Sequence, residues 1–220
     1  MAAWLRSTLI PKMLYDQPAF RGKTLTQTKL PRIGVLAIQG DYAAHAEALA
    51  EAGAEPVEVR KPSQLVGLDG LVLPGGESTT MLKFLGKHHF FEALQEFCRT
   101  KPVFGTCAGA ILLAREVLSP AQRSLGVLDA AVERNAYGRQ IDSAIVTAET
   151  SLPGGPLEMV FIRAPRIVST GAGVEVLAQR EGFPVLVRQG RVMAATFHPE
   201  LSRDRRVHRL FVEAVATSRQ

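Results

Sequence analysis

Short apolar runs and longer amphipathic stretches alternate through the first half of the chain. Ile33-Gly-Val-Leu-Ala-Ile38 is a continuous apolar run of strand length, and Tyr42 to Ala52 reads as a helix. Pro56 to Val59 and Leu68 to Leu73 predict two further strands, followed by one helix from about Thr79 to Arg99. Pro102 to Phe104 predicts a fourth strand, and an apolar helix starts directly after Cys107. Strand and helix in regular alternation imply a parallel sheet covered on both faces. The second half changes character. Val127–Val132, Ala144–Val146, Met159–Ile162, Val174–Ala178, Pro184–Gln189 and Arg191–Phe197 predict shorter strands without intervening helices. Some should pair as antiparallel hairpins, with Gln189-Gly190 the clearest turn. A helix from about Arg203 to Ala216 closes the pattern. The expected architecture is α/β: a flavodoxin-like three-layer fold with a mostly parallel central sheet, helices on both faces and added antiparallel strands in the second half.

Composition refines this picture at three points. A length of 220 residues suits one domain, or one domain with an appendage. The formal charge of +5 suggests nucleic acid at first sight. It resides in residues 1–32, where Arg6, Lys12, Arg21, Lys23, Lys29 and Arg32 face only Asp16. The remaining 33–220 holds 20 basic and 20 acidic side chains, so nothing there supports nucleic-acid binding. Residues 1–32 lack a sustained period, carry Pro11, Pro18 and Pro31, and read as a poorly ordered basic extension to a 33–220 domain. They faintly resemble a transit peptide but lack its amphipathic helix, and a stretch without function upstream of Met13 is the favoured reading. The only cysteines are Cys98 and Cys107, which points to a reducing, cytoplasmic setting. No Cys/His set has zinc-ligand spacing, and no apolar run approaches the ~20 residues that span a bilayer. Neither a metal, a cofactor nor a membrane is expected.

The chemistry concentrates at Lys101-Pro-Val-Phe-Gly-Thr-Cys-Ala-Gly-Ala-Ile-Leu112. A strand ending in Gly-x-Cys-x-Gly and turning straight into a helix is the nucleophile-elbow pattern with sulfur in place of oxygen. Glycine permits the sharp reversal, and the helix N-terminus favours thiolate at Cys107. A buried, inert cysteine is the competing reading, since free cysteine is often core. Three other predicted strands end on the same rim. One ends at Gln39-Gly40. Another ends at Pro74-Gly75-Gly76-Glu77-Ser78, whose glycine turn can offer backbone N–H groups to an oxyanion, together with the Ala108 N–H. The last ends at His198-Pro199-Glu200, which supplies a base and a carboxylate to orient it. Glu77 and Ser78 also suit the start of a helix, so a capping role competes there. Arg134 could meet a substrate carboxylate, and Arg163 lies at a strand end; surface ion pairs are the alternative for both. Cys98 reads as core and His88-His89 as solvated helix. Arg203 to Arg209 reads as the wet face of the last helix, with Val207, Leu210 and Phe211 inward.

Taken together, these residues resemble the glutaminase subunit of pyridoxal 5'-phosphate synthase, the PdxT/SNO family of class I glutamine amidotransferases. The likeness runs from Ile33 to about Val215. It is carried by Gly34-Val-Leu-Ala-Ile-Gln-Gly40, Leu73-Pro-Gly-Gly-Glu-Ser-Thr-Thr80, Phe104-Gly-Thr-Cys-Ala-Gly109, Glu133-Arg-Asn-Ala-Tyr-Gly-Arg-Gln140, Phe161-Ile-Arg-Ala-Pro165 and Phe197-His-Pro-Glu-Leu201. The resemblance implies a Cys107, His198 and Glu200 triad. It implies glutamine contacts from Gly76, Glu77, Ser78, Arg134, Ile162 and Arg163, and a role for Gln39 in arranging the oxyanion region beside Gly75 and Ala108. It further implies L-glutamine as substrate and a (β/α)₈-barrel synthase subunit, in a large hetero-oligomer, as recipient of the ammonia. A partner-independent cysteine hydrolase of γ-glutamyl or peptide substrates, and a catalytically silent module of the same fold, are the competing functions.

Overall fold

Residues 29–134 and 143–219 are described by a computed structural model. The segment Asn135–Gln140 and most of the 1–32 extension lie outside these residues.

The apolar runs form the centre of a seven-stranded sheet. Its strands are β1 (Arg32–Leu36), β2 (Glu55–Val59), β3 (Gly70–Leu73), β4 (Val103–Thr106), β10 (Glu175–Arg180), β11 (Phe183–Gln189) and β12 (Val192–Ala195). The spatial order is β10-β11-β12-β4-β3-β1-β2. From β12 to β2 every pairing is parallel, and β10–β11–β12 adds an antiparallel edge. The expected turn at Gly190 closes the β11–β12 hairpin, with Gln189 opposite Val192 and Gly190 at φ 56°. Side chains alternate between two cores, as strand geometry requires. Leu36, Leu71 and Leu73 join the core under α2 (Ser78–Leu85), α3 (Phe90–Thr100) and α4 (Ala108–Leu113). Ile33, Val35 and Val72 join the core under α1 (Tyr42–Glu51) and α5 (Arg206–Thr217). The α/β layered expectation is met.

Three details differ from the sequence reading. The single helix expected over Thr79–Arg99 is two helices, because Gly86 caps α2 and both His88 and His89 take left-handed backbone angles. Two strands are additional to those the sequence predicts: β5 (Ala114–Leu118), which follows α4 without a break, and β9 (Arg166–Thr170). They flank β6 (Leu128–Glu133) in a three-stranded sheet, where β5 and β6 run parallel. Each alternates too weakly in sequence to declare a period, and pairing supplies the order. The remaining strands, β7 (Ala144–Ala148) and β8 (Leu157–Phe161), form an antiparallel pair. Finally, His208, expected on the wet face of the last helix, is fully buried, as are Val207 and Phe211. Among the described residues, no helix is long and apolar enough to cross a membrane.

Candidate active site

Parallel pairing brings the carboxyl ends of β1, β3, β4 and β12 to one rim, where α/β sheets hold their ligands. Cys107 sits at the end of β4 and caps α4. Its backbone, at φ 47° and ψ −103°, lies in a region that costs on the order of 1–3 kcal/mol for a residue with a side chain. Packing enforces that strain. A Cβ on Gly105 would stand 2.5 Å from the Gly109 carbonyl carbon, and one on Gly109 would be driven into the Leu73 carbonyl oxygen. Strand β4, helix α4 and strand β3 therefore approach as only glycine allows. The Cys107 N–H is tied to the Ala195 carbonyl of β12 at 2.9 Å. Arg163 shares the unusual backbone, at φ 45°.

His198 follows β12, and its N–H donates to Val160 of β8 at 2.8 Å. The ring packs so closely on Gly75 that a Cβ there would meet Cε1 and stand 3.0 Å from Nδ1. Nδ1 lies 2.8 Å from Oε1 of Glu200, and the Cys107 side chain is the other hydrogen-bond partner of the ring. Burial disfavours the imidazolium, but hydrogen bonds to Cys107 and Glu200 and their charges outweigh it, raising the His198 pKa to about 10. Glu200 is buried too, which opposes ionisation; His45 and His198 reverse the balance and hold its pKa well below the ordinary carboxylate range. Cys98, by contrast, lies in the core with no charge partner in play, and burial pushes its thiol up to about 12.

These shifts fix signs for stability. A charged His198 stabilises the fold fully below the ordinary histidine pKa of ~6.5, and that contribution is lost as pH rises through about 10. Glu200 contributes above the ordinary carboxylate pKa and loses its contribution as pH falls through the depressed one. The stability gap between wild type and His198→Gln should therefore narrow from pH 7 to pH ~10. Urea unfolding across that range measures it, and a constant gap contradicts the charged assignment.

The neighbouring turn holds the other predicted residues. Glu77 is the N-cap of α2, its carboxylate accepting from the N–H and hydroxyl groups of Thr79 and Thr80. Desolvation opposes its charge, yet these bonds lower its pKa to about 2. The Gln39 carboxamide faces the Glu77 peptide; with its oxygen and nitrogen assigned to satisfy both partners, it donates to the Glu77 carbonyl at 3.2 Å and accepts from the Glu77 N–H at 2.8 Å. Gly76, at φ 138°, lies against the Gln39 carboxamide. Ser78 is buried and donates to Gln122. Arg134, at the end of β6, reaches Glu77 at 3.7 Å and keeps a buried Nε without a hydrogen-bond partner among the described residues. Ala108 opens α4 beside Cys107. Ile162 and Arg163 are exposed just past β8, two and three residues beyond the carbonyl that anchors His198.

A family model described as the SNO glutamine amidotransferase family matches residues 35–217. The chain belongs to that family. The pyridoxal 5'-phosphate synthase subunit PdxT of Koribacter versatilis (strain Ellin345) is 64% identical over 184 residues, covering 84% of this chain and 95% of the relative. PdxT of Solibacter usitatus (strain Ellin6076) is 56% identical over 189 residues, covering 83% and 98%. A crystal structure of a glutamine amidotransferase, 49% identical, superposes with a TM-score of 0.78 over 84% of this chain and 98% of its own.

The SNO-family chain also holds polar residues around the base to which no motif assigns a role. Asp41, His198 and Glu200 have ligand atoms within 4.8 Å of one another. A metal there would have to displace the His198–Glu200 bond, so this set is better described as surroundings of the base than as a metal centre. Behind Glu200 lie Thr106, His45 and His208, all buried. Spacing could have disclosed the two histidines: His45 shares a helical stripe with Ala48 and Leu49, and His208 with Phe211, Val212 and Val215.

Proposed function

We propose that Cys107, His198 and Glu200 form the triad through which this chain hydrolyses L-glutamine to L-glutamate and ammonia, as the glutaminase of a pyridoxal 5'-phosphate synthase. One observation carries the reading: a strained cysteine at a strand-to-helix turn, an imidazole bonded to it, and an ionised carboxylate on the far ring nitrogen. The Cys107 thiolate attacks the side-chain amide carbon of glutamine. The Ala108 N–H and the Gly75-Gly76 turn receive the oxyanion. His198 gives its proton to the departing nitrogen, and ammonia leaves behind a γ-glutamyl thioester. Water then loses a proton to His198 as its oxygen attacks the thioester, and the Cys107 thiolate departs from glutamate. A raised His198 pKa suits this order, because the ring starts with the proton it must donate.

Glutamine also carries an α-carboxylate and an α-ammonium. Arg134, with a nearly buried guanidinium and an unsatisfied Nε, suits the first. Glu77, held ionised, suits the second. Gly76, Ser78, Ile162 and Arg163 complete the substrate set. The relatives' name supports delivery of ammonia to a synthase subunit, and we assign that partner as a (β/α)₈ barrel in a hetero-oligomer. Residues 33–220 form the glutaminase domain with 1–32 as an extension, and two free thiols fit a cytoplasmic setting.

Mixed with the synthase subunit, Glu200→Gln should release glutamate on the order of 10³- to 10⁴-fold more slowly than wild type, with KM nearly unchanged. The neutral amide keeps the shape but loses the charge that supports imidazolium. Activity within tenfold of wild type would remove Glu200 from the triad.

A further inference from the structure

A line of buried polar groups continues beyond Glu200. His198 holds only Oε1 of the carboxylate, at 2.8 Å. The other oxygen, Oε2, lies 3.2 Å from Nε2 of His45, and both side chains have no solvent exposure. That contact has ion-pair distance without hydrogen-bond alignment, whereas His45 Nε2 does satisfy hydrogen-bond geometry toward Thr106 Oγ1, at 3.0 Å. The same Nε2 thus bonds the threonine that precedes Cys107 and stands at ion-pair distance from the carboxylate. On its far side, Nδ1 of His45 lies 3.1 Å from Nε2 of His208.

Hydrogen-bond logic assigns the protons. Burial depresses the His208 pKa to about 3, so the ring is neutral and carries one N–H. His208 Nδ1 has no partner among the described residues. A bare nitrogen in that position is cheaper than an orphaned N–H, since buried unpaired donors are the rarer fault. The proton therefore sits on His208 Nε2 and is donated to His45 Nδ1. His45 must then carry its own proton on Nε2, facing Glu200 and Thr106. The opposite arrangement would set a bare His45 lone pair against an ionised carboxylate. Other groups around the pair agree with it. Arg205, the N-cap of α5, reaches the Glu200 carbonyl at 3.5 Å and disfavours a further positive charge on His208. Phe104 packs edge-on against both rings, at 6.4 and 6.1 Å between centroids.

We propose that His45 is a positioning residue of the triad: it fixes the second carboxylate oxygen of Glu200, and His208 fixes the tautomer of His45. The terminal carboxylate torsion of glutamate is broad, so a single bond from His198 leaves Glu200 free to rotate. A polar N–H held 3.2 Å from Oε2, anchored in α1 and braced from α5, attracts that oxygen electrostatically and restricts the rotation. The proposal rests on the Cys107–His198–Glu200 reading.

Three variants test it: His45→Phe, which removes the donor; His45→Gln, whose amide reaches the position of Nε2; and His208→Phe. Two readouts are needed: glutamate release with the synthase subunit, and the pH dependence of Cys107 alkylation by iodoacetamide in the chain alone. His45→Phe should lower kcat by on the order of 10- to 100-fold, the size that outer partners of functional histidines carry, with KM within about twofold. Its alkylation midpoint should move to higher pH. His45→Gln should recover most of both, and His208→Phe should shift both in the same direction by less. If His45→Phe fails to fold, the remaining two variants decide. Wild-type kcat and alkylation in His208→Phe, or equal impairment of both His45 variants without a moved midpoint, would overturn the proposal. A His198→Gln control separates the two readings. An alkylation profile unaffected by that change refutes the triad itself, whatever His45 does.

Discussion

Cys107→Ala should reduce glutamate release by the assembled enzyme on the order of 10⁵- to 10⁶-fold, the loss seen when the nucleophile of a hydrolytic triad is removed. The size follows from the mechanism. Without sulfur no thioester forms, and only oriented water attack on a bound amide remains. The fold should survive, because the strain at φ 47° arises from the Cβ, which alanine retains. Cofactor synthesis fed with ammonium instead of glutamine should continue at the wild-type rate, since this chain only supplies the nitrogen. Glutamate release measured beside co-elution with the synthase subunit separates a lost nucleophile from a lost complex. A Cys107→Ala chain that retains more than a hundredth of wild-type glutaminase activity would place the nucleophile elsewhere. Failure of the variant to co-elute with the synthase subunit would mean that the substitution disturbs assembly.

Gly109→Ala should be among the most damaging single methyl additions in the described residues. The added Cβ would collide with the Leu73 carbonyl oxygen and lie 2.8 Å from its carbon. These are backbone atoms of a central strand, so no side-chain rotation relieves the clash. Separation of α4 from β3 would in turn disturb Gly105, whose own tight contact is with Gly109. We expect a loss of about 3 kcal/mol or more, at the upper end for overpacking, and a fall in Tm on the order of 10 °C. Activity should fall with it, because α4 positions both Cys107 and the Ala108 N–H. Gly86→Ala is the matched control. Its φ is −66° and its nearest contact 3.4 Å, so it should change stability by no more than about 1 kcal/mol. Thermal and urea unfolding of the pair compares them directly, and equal stability would show that the approach of α4 to β3 is not tight.

The parts of the fold that were legible are those where one residue type leaves few choices. Apolar runs such as Ile33–Ile38 and Leu68–Leu73 can only be buried, and their alternation with helices demands a parallel sheet. Cys107 announced itself through its flanking glycines, and His198 and Glu200 through a strand end broken by Pro199. Less was visible where a residue's role depends on a neighbour distant in the chain. His88 and His89 look helical by composition, yet Gly86 ends α2 and the chain must turn before α3 packs. Ala114–Leu118 alternates too weakly to declare a strand, and it becomes one because Leu128–Glu133 lies beside it.

The candidate site divides along the same line. The sequence alone determined the chemistry on offer: a thiol at a sharp turn, an imidazole and carboxylate two residues apart, and a glycine-rich turn near both. Its short motifs, taken jointly, also resembled one family, and the family model matches residues 35–217. Tertiary structure decided which charge states those groups hold. The elevated His198 pKa, the depressed Glu200 pKa and the neutral His208 all follow from burial set against specific partners, and burial is a property of packing. It also decided that His45, separated by 61 residues from Thr106 and by 163 from His208, stands behind the triad at all. No local pattern encodes such a meeting. It exists because α1 and α5 pack on the same face of the sheet, where the only favourable place for a buried imidazole is against another polar group.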